Sequence, residues 1–380
     1  MNDNRFDVIV LGVGGMGSAT AFELADRGRR VLALEQYPLV HDRGSSHGQT
    51  RITRKAYYEH PGYVPLVRRA FERWYDLEQR TGRHLLTDCG CLCIGQPHSK
   101  LITGVQRSSQ EHGIPIDFLA SDDLRRRFPQ FRFDDGFVGT LEREAGFLYV
   151  EECVRAHIDE ARKRGAIVRG EERVIGWEST GESVSVRTTI GTYHAAKLVI
   201  TAGSWATRFL AEQRVPLSVM RQILFWIGVS DPSAFRRDRF PLFIGESEFG
   251  NYYGFPVVDA SMGLKVAQHY GAPELRDPDE VDWNVNDDDE SVLRRFLREH
   301  MPGVDGKRGH ASVCMYTLTP DRHFIIDRHP QYGNVAVAAG FSGHGFKFAS
   351  VVGEILADLV DTGSTRWPIE MFRVGRFGNV

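Results

Sequence analysis

The chain begins with short apolar runs separated by glycines and polar turns. The run 6–11, FDVIVL, has the composition of a buried parallel strand, and 31–34, VLAL, is a second such run. Between them the pattern predicts a helix that ends at about Gly28. The glycines that separate the first strand from this helix follow the spacing G-x-G-x-x-G: Gly12, Gly14 and Gly17. The segment therefore predicts a right-handed βαβ unit whose second strand ends in Glu35.

Two further helices are predicted from apolar residues that recur at three- and four-residue steps. The first begins at Tyr63 and ends at Gly82. Its apolar stripe consists of Leu66, Val67, Ala70, Phe71, Trp74 and Leu77. The second helix covers 151–164 and is followed by an apolar run at 166–168. Between the two helices, residues 86–144 have an irregular pattern interrupted by charged patches, which predicts mainly strands.

The C-terminal half is rich in predicted strands. The elements are a hairpin at 183–193 that turns at Gly191, a buried strand at 197–203, a helix near 291–300 within the strand-rich stretch 215–316, a strand at 334–340 and a helix after Gly345. Apolar strands of one type at both ends of the chain indicate one domain assembled from separated pieces, with insertions forming a second. We predict an α/β (α+β) fold, with a Rossmann domain from 1–85, 145–217 and 318–380, and a sheet-rich domain from 86–144 and 218–317.

Composition and charge exclude several classes of protein. A chain of 380 residues, of which 42% are hydrophobic, is long enough for about two domains with sizeable cores. The formal net charge of −3 gives no basis for nucleic-acid binding. No apolar run is long enough to span a bilayer, and the N-terminus does not resemble a signal peptide. We therefore expect a cytoplasmic protein that does not associate with membranes.

The five cysteines are too few for a disulfide-rich framework. Three of them, Cys89, Cys91 and Cys93, alternate, so that on a strand all three would lie on one face. No second ligand pair with metal-site spacing accompanies them, so we predict core packing and no metal site. A single cysteine such as Cys314, taken without its surroundings, is most simply a small buried hydrophobic residue.

The glycine spacing near the N-terminus is typical of a dinucleotide-binding turn. Gly12 permits the tight turn, Gly14 lets the backbone approach a pyrophosphate, and Gly17 lets helix and strand pack closely. The N-terminus of the helix offers free N–H groups and a partial positive charge to the phosphates. Glu35 follows Gly17 by 18 residues and is placed to bind ribose hydroxyls. The glycine spacing alone leaves NAD and FAD as alternatives.

Four later segments carry a more specific resemblance. They are the polar loop 44–54, GSSHGQTRITR; the strand 263–269, GLKVAQH; the segment 314–327, with the pattern C-x-Y-T…D-x-x-F-I-I-D; and the glycine-rich turn 340–348, GFSGHGFKF. Together they resemble the family of monomeric sarcosine oxidases and N-methyltryptophan oxidases, which are FAD-dependent amine oxidases. The resemblance extends from Phe6 to about Phe372, although Ser46 and Lys55 stand where the family often has histidines.

The resemblance implies how the cofactor is bound. It implies a glutathione-reductase-type FAD domain beside a sheet-rich substrate domain, with the flavin between them. It also implies a covalent bond from the flavin 8α-methyl carbon to Cys314, which requires basic neighbours that favour the thiolate. The implied cofactor-binding residues are Gly12, Gly14, Gly17, Glu35, Ser45, Thr50, Arg51, Cys314, Gly343, Gly345, Phe346 and Lys347.

The resemblance also implies roles for cationic and aromatic residues. Lys265 would stabilise the charge that develops when reduced flavin passes electrons to O2, and Arg51 would lie close to the flavin ring. Arg54 and Lys347 would bind the substrate carboxylate, the arginine in bidentate geometry and the lysine as a point charge. The residues implied on the amine side are Tyr253, His269, Tyr316 and His344. For each cation the alternative is a surface charge, and for each aromatic residue it is core packing.

The sequence therefore predicts a monomeric flavoprotein oxidase. It would convert a sarcosine-like N-methyl amino acid and O2 into the free amino acid, formaldehyde and hydrogen peroxide. One alternative is an oxidase of a bulkier or cyclic secondary amino acid, such as N-methyltryptophan, proline or pipecolate. Others are a flavin-binding protein without turnover and an NAD-dependent dehydrogenase, which the motifs at Cys314 and 343–347 disfavour.

Overall fold

The structure is a computed structural model that describes residues 5–210 and 215–378. Its α-helices are α1 (Gly15–Asp26), α2 (Val64–Thr81), α3 (Lys100–His112), α4 (Ser121–Arg127), α5 (Val150–Lys163), α6 (Ala206–Phe209), α7 (Asp287–His300) and α8 (Ala349–Thr362). The strands of the first half are β1 (Arg5–Leu11), β2 (Val31–Leu34), β3 (Thr50–Thr53), β4 (Leu86–Asp88), β5 (Cys91–Gly95), β6 (Asp117–Leu119), β7 (Val138–Glu142), β8 (Gly146–Tyr149), β9 (Ile167–Arg169), β10 (Val174–Ser179), β11 (Val184–Thr188) and β12 (Thr192–Ile200). The remaining strands are β13 (Ser218–Ile227), β14 (Leu242–Ser247), β15 (Gly250–Gly254), β16 (Leu264–His269), β17 (Glu274–Leu275), β18 (Arg308–Leu318), β19 (Ile325–Arg328) and β20 (Val335–Ala339).

The first large sheet has a parallel centre of the nucleotide-binding type. Strands β9, β2, β1, β12 and β20 lie side by side in this order and run parallel. The antiparallel strands β10, β11 and β19 extend the sheet. β2 and β20 are buried along their whole length, which agrees with their unbroken apolar sequences. Helices α1 and α8 pack against this sheet and against each other.

The second large sheet is mostly antiparallel and carries many of the predicted site residues. Its order is β17-β13-β16-β15-β14-β5-β7-β6, and β18 pairs with β13. Within it β18, β13, β16 and β15 follow one another, which brings Cys314, Tyr316, Lys265, His269 and Tyr253 onto neighbouring strands. A third, smaller sheet has the order β3-β8-β4 and supplies Thr50 and Arg51 of the polar loop.

Several predicted elements are confirmed. The stripe predicted on α2 is buried throughout, and Gly82 ends this helix in the left-handed conformation at φ 67°. β11 and β12 form the predicted hairpin through a turn that contains Gly191. The helix predicted near 291–300 begins earlier, at Asp287, because Asn286 and Asp289 form a capping box there.

The prediction for residues 86–144 is wrong in part, because α3 and α4 lie within that stretch. α3 is amphipathic, with Ser99 capping its N-terminus and Gly113 ending it at φ 60°. Cys89 also departs from the prediction, since it precedes β5 and only Cys91 and Cys93 lie on that strand. The last helix begins at Ala349, after a single 3₁₀ turn at Phe346–Phe348.

The predicted domain boundaries stay a prediction. β4, which those boundaries assign to the sheet-rich domain, pairs with β8 of the other predicted domain. In the part of the chain that is described, the helices are all too short or too polar to cross a membrane.

Candidate active site

A cavity of about 880 Å³ is lined by residues of both large sheets. Its volume is within the range of about 300–1,000 Å³ found for ligand and cofactor sites. The predicted residues that line it are Gly12, Gly14, Glu35, Ser45, Arg51, Arg54, Tyr253, His269, Cys314, Tyr316, Gly343, His344, Gly345, Phe346 and Lys347. Gly17, Thr50 and Lys265 do not line it. The cavity thus joins the glycine turn to residues more than 300 positions away in the sequence.

The glycine turn between β1 and α1 forms one end of the cavity. Gly12 has φ 91°, and a Cβ on it would lie 2.5 Å from the Thr201 carbonyl oxygen. A Cβ on Gly17 would collide with the Gly12 carbonyl. A Cβ on Gly14 would meet only Ser46, whose Oγ would be 3.4 Å away. Packing within the protein therefore requires the first and third glycines, whereas Gly14 leaves open space in front of the helix N-terminus.

Glu35 lies at the same end, after β2. Its carboxylate accepts hydrogen bonds from Val13 N at 3.0 Å and Tyr37 N at 3.2 Å. Each oxygen retains a further lone pair, so the carboxylate can also accept from ribose hydroxyls. Ser46 Oγ accepts from Gly15 N at 3.0 Å, beside the open space at Gly14. The donors, the space and the carboxylate at this end fit the diphosphate and ribose of a dinucleotide.

Cys314 lies farther along the cavity, on β18, and is 1% exposed. Arg51 Nη2 is 3.5 Å from its Sγ and also donates to Ser45 O at 2.9 Å. Ser45 Oγ donates to Met315 O at 2.5 Å, which joins the polar loop to β18. The guanidinium of Arg51 places a positive charge beside the Cys314 sulfur. The thiol therefore has the cationic neighbour that a nucleophilic cysteine needs.

Lys265 is buried behind the cavity wall. Its Nζ donates to Gly48 O at 2.5 Å, Thr50 O at 2.7 Å and Thr50 Oγ1 at 3.2 Å. Three acceptors match the three N–H donors of an ammonium. The ammonium also lies over the rings of Phe255 and Trp226, 4.8 and 5.4 Å from their centroids. Burial, followed by the charge of Arg51, lowers the pKa of Lys265 well below its usual value, and the charge of Glu151 opposes that effect.

Arg54 and Lys347 also line the cavity, and both are nearly inaccessible to solvent. Arg54 Nη2 donates to Glu59 Oε2 at 2.6 Å, and its Nε is buried with no hydrogen-bond partner. Lys347 Nζ donates to His344 O at 2.7 Å. Burial, followed by the charge of Arg54, lowers the pKa of Lys347 to about 7. The two cations need more negative charge than Glu59 provides.

Glu59 was not predicted from the sequence, and it occupies a central position. Burial raises its pKa, but the charges of Arg54, His344 and Lys347 lower that pKa to about 2. The carboxylate is therefore ionised at neutral pH. It lines the cavity and occupies the Nη2 hydrogen-bonding position of the guanidinium that was predicted to bind substrate.

Tyr253, His269 and Tyr316 form a neutral aromatic wall. The Tyr316 hydroxyl is 3.1 Å from His269 Nδ1, and the His269 ring contacts Tyr253 edge-on at a centroid distance of 6.0 Å. Burial lowers the pKa of His269 to about 3 and raises that of Tyr316 well above its usual value. All three side chains are uncharged at neutral pH. His269 therefore acts as a neutral hydrogen-bonding group and is a poor general base.

His344 is held by protein groups on both ring nitrogens. Nε2 lies 3.0 Å from the Arg322 carbonyl, which only accepts, so this nitrogen carries the proton. Nδ1 then accepts from the hydroxyl of Tyr57 at 2.6 Å. Burial lowers the pKa of His344 to about 4. Neither nitrogen is free to accept a proton from a ligand, and the residue fixes the Gly343–Lys347 turn.

The sequence offered little signal for Glu59 or Tyr57. Both follow Arg54 closely, within AYYE at 56–59: Glu59 pairs with Arg54 itself, whereas His344, the partner of Tyr57, lies on the turn at 343–347. Only the assembled fold brings the two segments together. In the described residues no cluster of histidine, cysteine, aspartate and glutamate is arranged to hold a metal ion.

Comparison with known proteins distinguishes between NAD and FAD, the two dinucleotides that the glycine spacing left as alternatives. Residues 7–359 match the sequence model of a family described as FAD dependent oxidoreductase. The chain belongs to that family. The match covers β1 through most of α8, and so includes both large sheets.

Individual relatives and solved structures are similar over almost the whole chain. A monomeric sarcosine oxidase of Streptomyces avermitilis is 41% identical over 97% of this chain and 96% of its own. An N-methyl-L-tryptophan oxidase of Salmonella dublin is 33% identical over 98% and 99% of the two chains. The solved structure of NikD, an unusual amino acid oxidase essential for nikkomycin biosynthesis, has a TM-score of 0.86 at 26% identity and covers 97% of each chain. Members of this FAD-dependent family therefore share the fold described above.

The Arg54–Glu59 pair generates a testable prediction. Glu59→Gln leaves a buried guanidinium without its counter-ion, which should cost roughly 3–5 kcal/mol of unfolding free energy. A small carboxylate such as acetate should restore part of that loss, because it can take the place of Glu59 at Arg54. Thermal unfolding of the protein with and without acetate measures both effects.

Glu144→Gln is the matched control, since Glu144 pairs with Lys55 at 2.6 Å on the surface. We expect acetate to raise the melting temperature more in Glu59→Gln than in the wild type or in the control. An equal acetate effect in all three proteins would contradict the competition between Glu59 and a ligand for Arg54.

Proposed function

We propose that this chain oxidises the C–N bond of an N-methyl amino acid, with FAD as the electron acceptor and O2 as the final oxidant. The observation that carries the proposal is the cavity itself. It is lined both by a dinucleotide turn and by the buried cations Arg54 and Lys347. Relatives that are sarcosine and N-methyl-L-tryptophan oxidases support the same substrate class.

Bound FAD would accept two electrons from the C–N bond and pass them to O2, giving hydrogen peroxide. The residues at the glycine turn would hold its diphosphate and ribose, as their donors and carboxylate fit. Gly343 lies against Tyr316 so closely that a Cβ would be 2.5 Å from the ring. This contact lets the backbone of the Gly343–Lys347 turn approach the flavin with no side chain between them.

Arg54 and Lys347 would bind the substrate carboxylate. The guanidinium has an unpartnered Nε, and Lys347 Nζ has only neutral acceptors, so both gain from an added anion. The substrate carboxylate would either displace Glu59 from Arg54 Nη2 or accept a hydrogen bond from Nη2 together with Glu59. Binding energy from this end of the substrate would fix the orientation of the amine at the other end.

The neutral wall of Tyr253, His269 and Tyr316 would receive the amine. An ammonium buried here would face three uncharged side chains, and of the charges that act on His269, Glu59 would favour it while Lys347 and Arg54 would oppose it. Desolvation at this wall therefore favours the neutral amine, and only the neutral amine has a lone pair to contribute when the C–N bond is oxidised. Water then hydrolyses the imine product to formaldehyde and the free amino acid.

Lys265 would act on the oxygen side. Its ammonium is held in place by the Gly48 and Thr50 oxygens before any reaction begins. A fixed positive charge stabilises the negative charge that develops as O2 accepts electrons. Arg51, which is hydrogen-bonded to Thr50 O at 2.9 Å, adds a second positive charge to the same region.

A panel of amines with the purified, FAD-loaded protein tests the proposed function. We expect peroxide and formaldehyde in equal amounts from sarcosine or a bulkier N-methyl amino acid. With proline or pipecolate we expect peroxide without formaldehyde, because those amines carry no methyl group. A protein that retains FAD but produces no peroxide with any secondary amino acid would overturn the proposal.

A covalent bond between Cys314 and the flavin 8α carbon is a further part of the proposal, supported by the Arg51 contact with Sγ. We expect the denatured protein to be heavier than its sequence by one FAD. Digestion should yield a yellow peptide that contains Cys314, whereas Cys314→Ser should release its flavin on acid precipitation. Cys153→Ser is the matched control, since Cys153 is equally buried and does not line the cavity. Unmodified Cys314 in an active, fully loaded enzyme would contradict the covalent bond.

The lowered pKa of Lys347 predicts how carboxylate binding depends on pH. Below about pH 7 the side chain is charged and attracts the anion, and above that pH it loses its proton. The affinity for a carboxylate without an amine should therefore be constant up to about pH 7 and fall by about tenfold per pH unit above it. Glu59, His344 and His269, with pKa values of about 2, 4 and 3, do not titrate in this range.

Flavin absorbance titrations with acetate between about pH 6 and pH 9 measure this dependence. Lys347→Met should weaken binding below pH 7 and remove the dependence. A wild-type affinity that does not change over this range, or a dependence that persists in Lys347→Met, would contradict the assignment.

A further inference from the structure

Glu151 lies in the first turn of α5, behind the loop that holds Lys265. Its Oε1 accepts a hydrogen bond from Gly48 N at 2.7 Å and another from Gln49 N at 3.1 Å. Two consecutive backbone N–H groups therefore converge on one carboxylate oxygen. Glu151 belongs neither to the glycine turn nor to the group formed by Arg54, Glu59 and Lys347.

The segment it binds, which we call the Gly48–Thr50 turn, has an unusual backbone. Gly48 has φ 85° and Gln49 has φ 70°, so a non-glycine residue is held in the left-handed region. That conformation is costly and persists only where surrounding contacts determine it. A Cβ on Gly48 would also collide with Leu224. The hydrogen bonds from Glu151 are contacts that stabilise this conformation.

The other side of the same turn holds the ammonium of Lys265. The carbonyls of Gly48 and Thr50 accept from Lys265 Nζ, and Thr50 O also accepts from Arg51 Nη1. One short turn thus donates hydrogen bonds from its N–H groups to a carboxylate and accepts hydrogen bonds at its carbonyls from two cations. Any movement of the N–H groups of Gly48 and Gln49 would therefore also move the carbonyl oxygens that accept from Lys265 and Arg51.

Glu151 also places a negative charge near the cations Lys265 and Arg51. Burial lowers the pKa of Lys265 most, the charge of Arg51 lowers it further, and the charge of Glu151 raises it. The carboxylate therefore supports the protonated state of Lys265 in addition to the geometry around it.

We propose that Glu151 is a positioning residue for the oxygen half of the reaction, acting on Lys265 through the Gly48–Thr50 turn. This inference rests on the role proposed above for Lys265. Glu151 holds in place the carbonyl oxygens that position Lys265 Nζ when reduced flavin passes electrons to O2, and it has no contact with the amine wall.

The test compares Glu151→Gln, Glu151→Ala and Lys265→Met with a matched control, Glu152→Gln. Glu152 lies in the same helical turn but pairs with Arg155 at 2.7 Å, with its side chain 44% exposed. The flavin is reduced by light without air and then mixed with O2, so that reoxidation is measured whatever amine the enzyme oxidises. Anaerobic reduction by the amine substrate is measured separately.

We expect reoxidation to slow by about 100-fold in Glu151→Ala and about tenfold in Glu151→Gln, which keeps an acceptor but loses the charge. Reduction by the amine should change by less than about twofold in both, since the wall residues are untouched. Glu152→Gln should match the wild type in both half-reactions. Glu151→Gln remains informative if Glu151→Ala fails to fold.

Amide hydrogen exchange of the peptide containing the Gly48–Thr50 turn gives a readout independent of turnover. Exchange should accelerate clearly in Glu151→Ala, slightly in Glu151→Gln and not in Glu152→Gln. Equal slowing of both half-reactions, or wild-type reoxidation in Glu151→Gln while Lys265→Met is slow, would overturn the inference. Wild-type reoxidation in Lys265→Met would instead overturn the proposed role of Lys265, and the inference with it.

Discussion

The structure buries several cations in or beside one cavity, and the need to compensate their charges constrains the residues around them. Arg54, Lys265 and Lys347 are each at most 5% exposed, and a buried charge is costly unless negative or polar groups compensate it. Each of the three receives different compensation. Arg54 has the carboxylate of Glu59, Lys265 has backbone carbonyls, and Lys347 has one carbonyl and a distant hydroxyl. The compensation is least complete at Arg54 Nε and at Lys347, which supports the proposal that an anionic substrate binds there.

The fold brings these charges together from distant parts of the chain. The polar loop and β3 supply Arg51 and Arg54, β16 supplies Lys265, and the turn before α8 supplies Lys347. The parallel sheet presents the glycine turn, while the antiparallel sheet supplies the neutral wall. The architecture therefore separates cofactor recognition from substrate recognition within one cavity.

A site residue could be predicted from the sequence alone where its motif lies within one continuous segment. The glycine spacing and Glu35 form a contiguous strand–turn–helix–strand pattern, so their arrangement could be predicted from the residues alone. Cys314, Lys265 and Lys347 could be singled out only through the resemblance of whole segments to a family. Glu59 and Glu151 have no such signal, because Glu59 pairs with the nearby Arg54 without belonging to a recognisable motif, and Glu151 binds Gly48 and Gln49 in a distant loop. The missed helix α3 is different, since Ser99 and Gly113 are ordinary helix-boundary residues whose signal was present in the sequence.

We propose that the two buried cations, Arg54 and Lys347, select an amine that carries a carboxylate. The most direct measurement is the anaerobic bleaching of the flavin by sarcosine and by N-methylethylamine, which resembles sarcosine but lacks the carboxylate. We expect fast, saturable bleaching by sarcosine and, for the amine without a carboxylate, an apparent affinity weaker by about 2–5 kcal/mol. Bleaching of equal rate and affinity with both amines would contradict this proposal, because Arg54 and Lys347 would then have no part in recognising substrate.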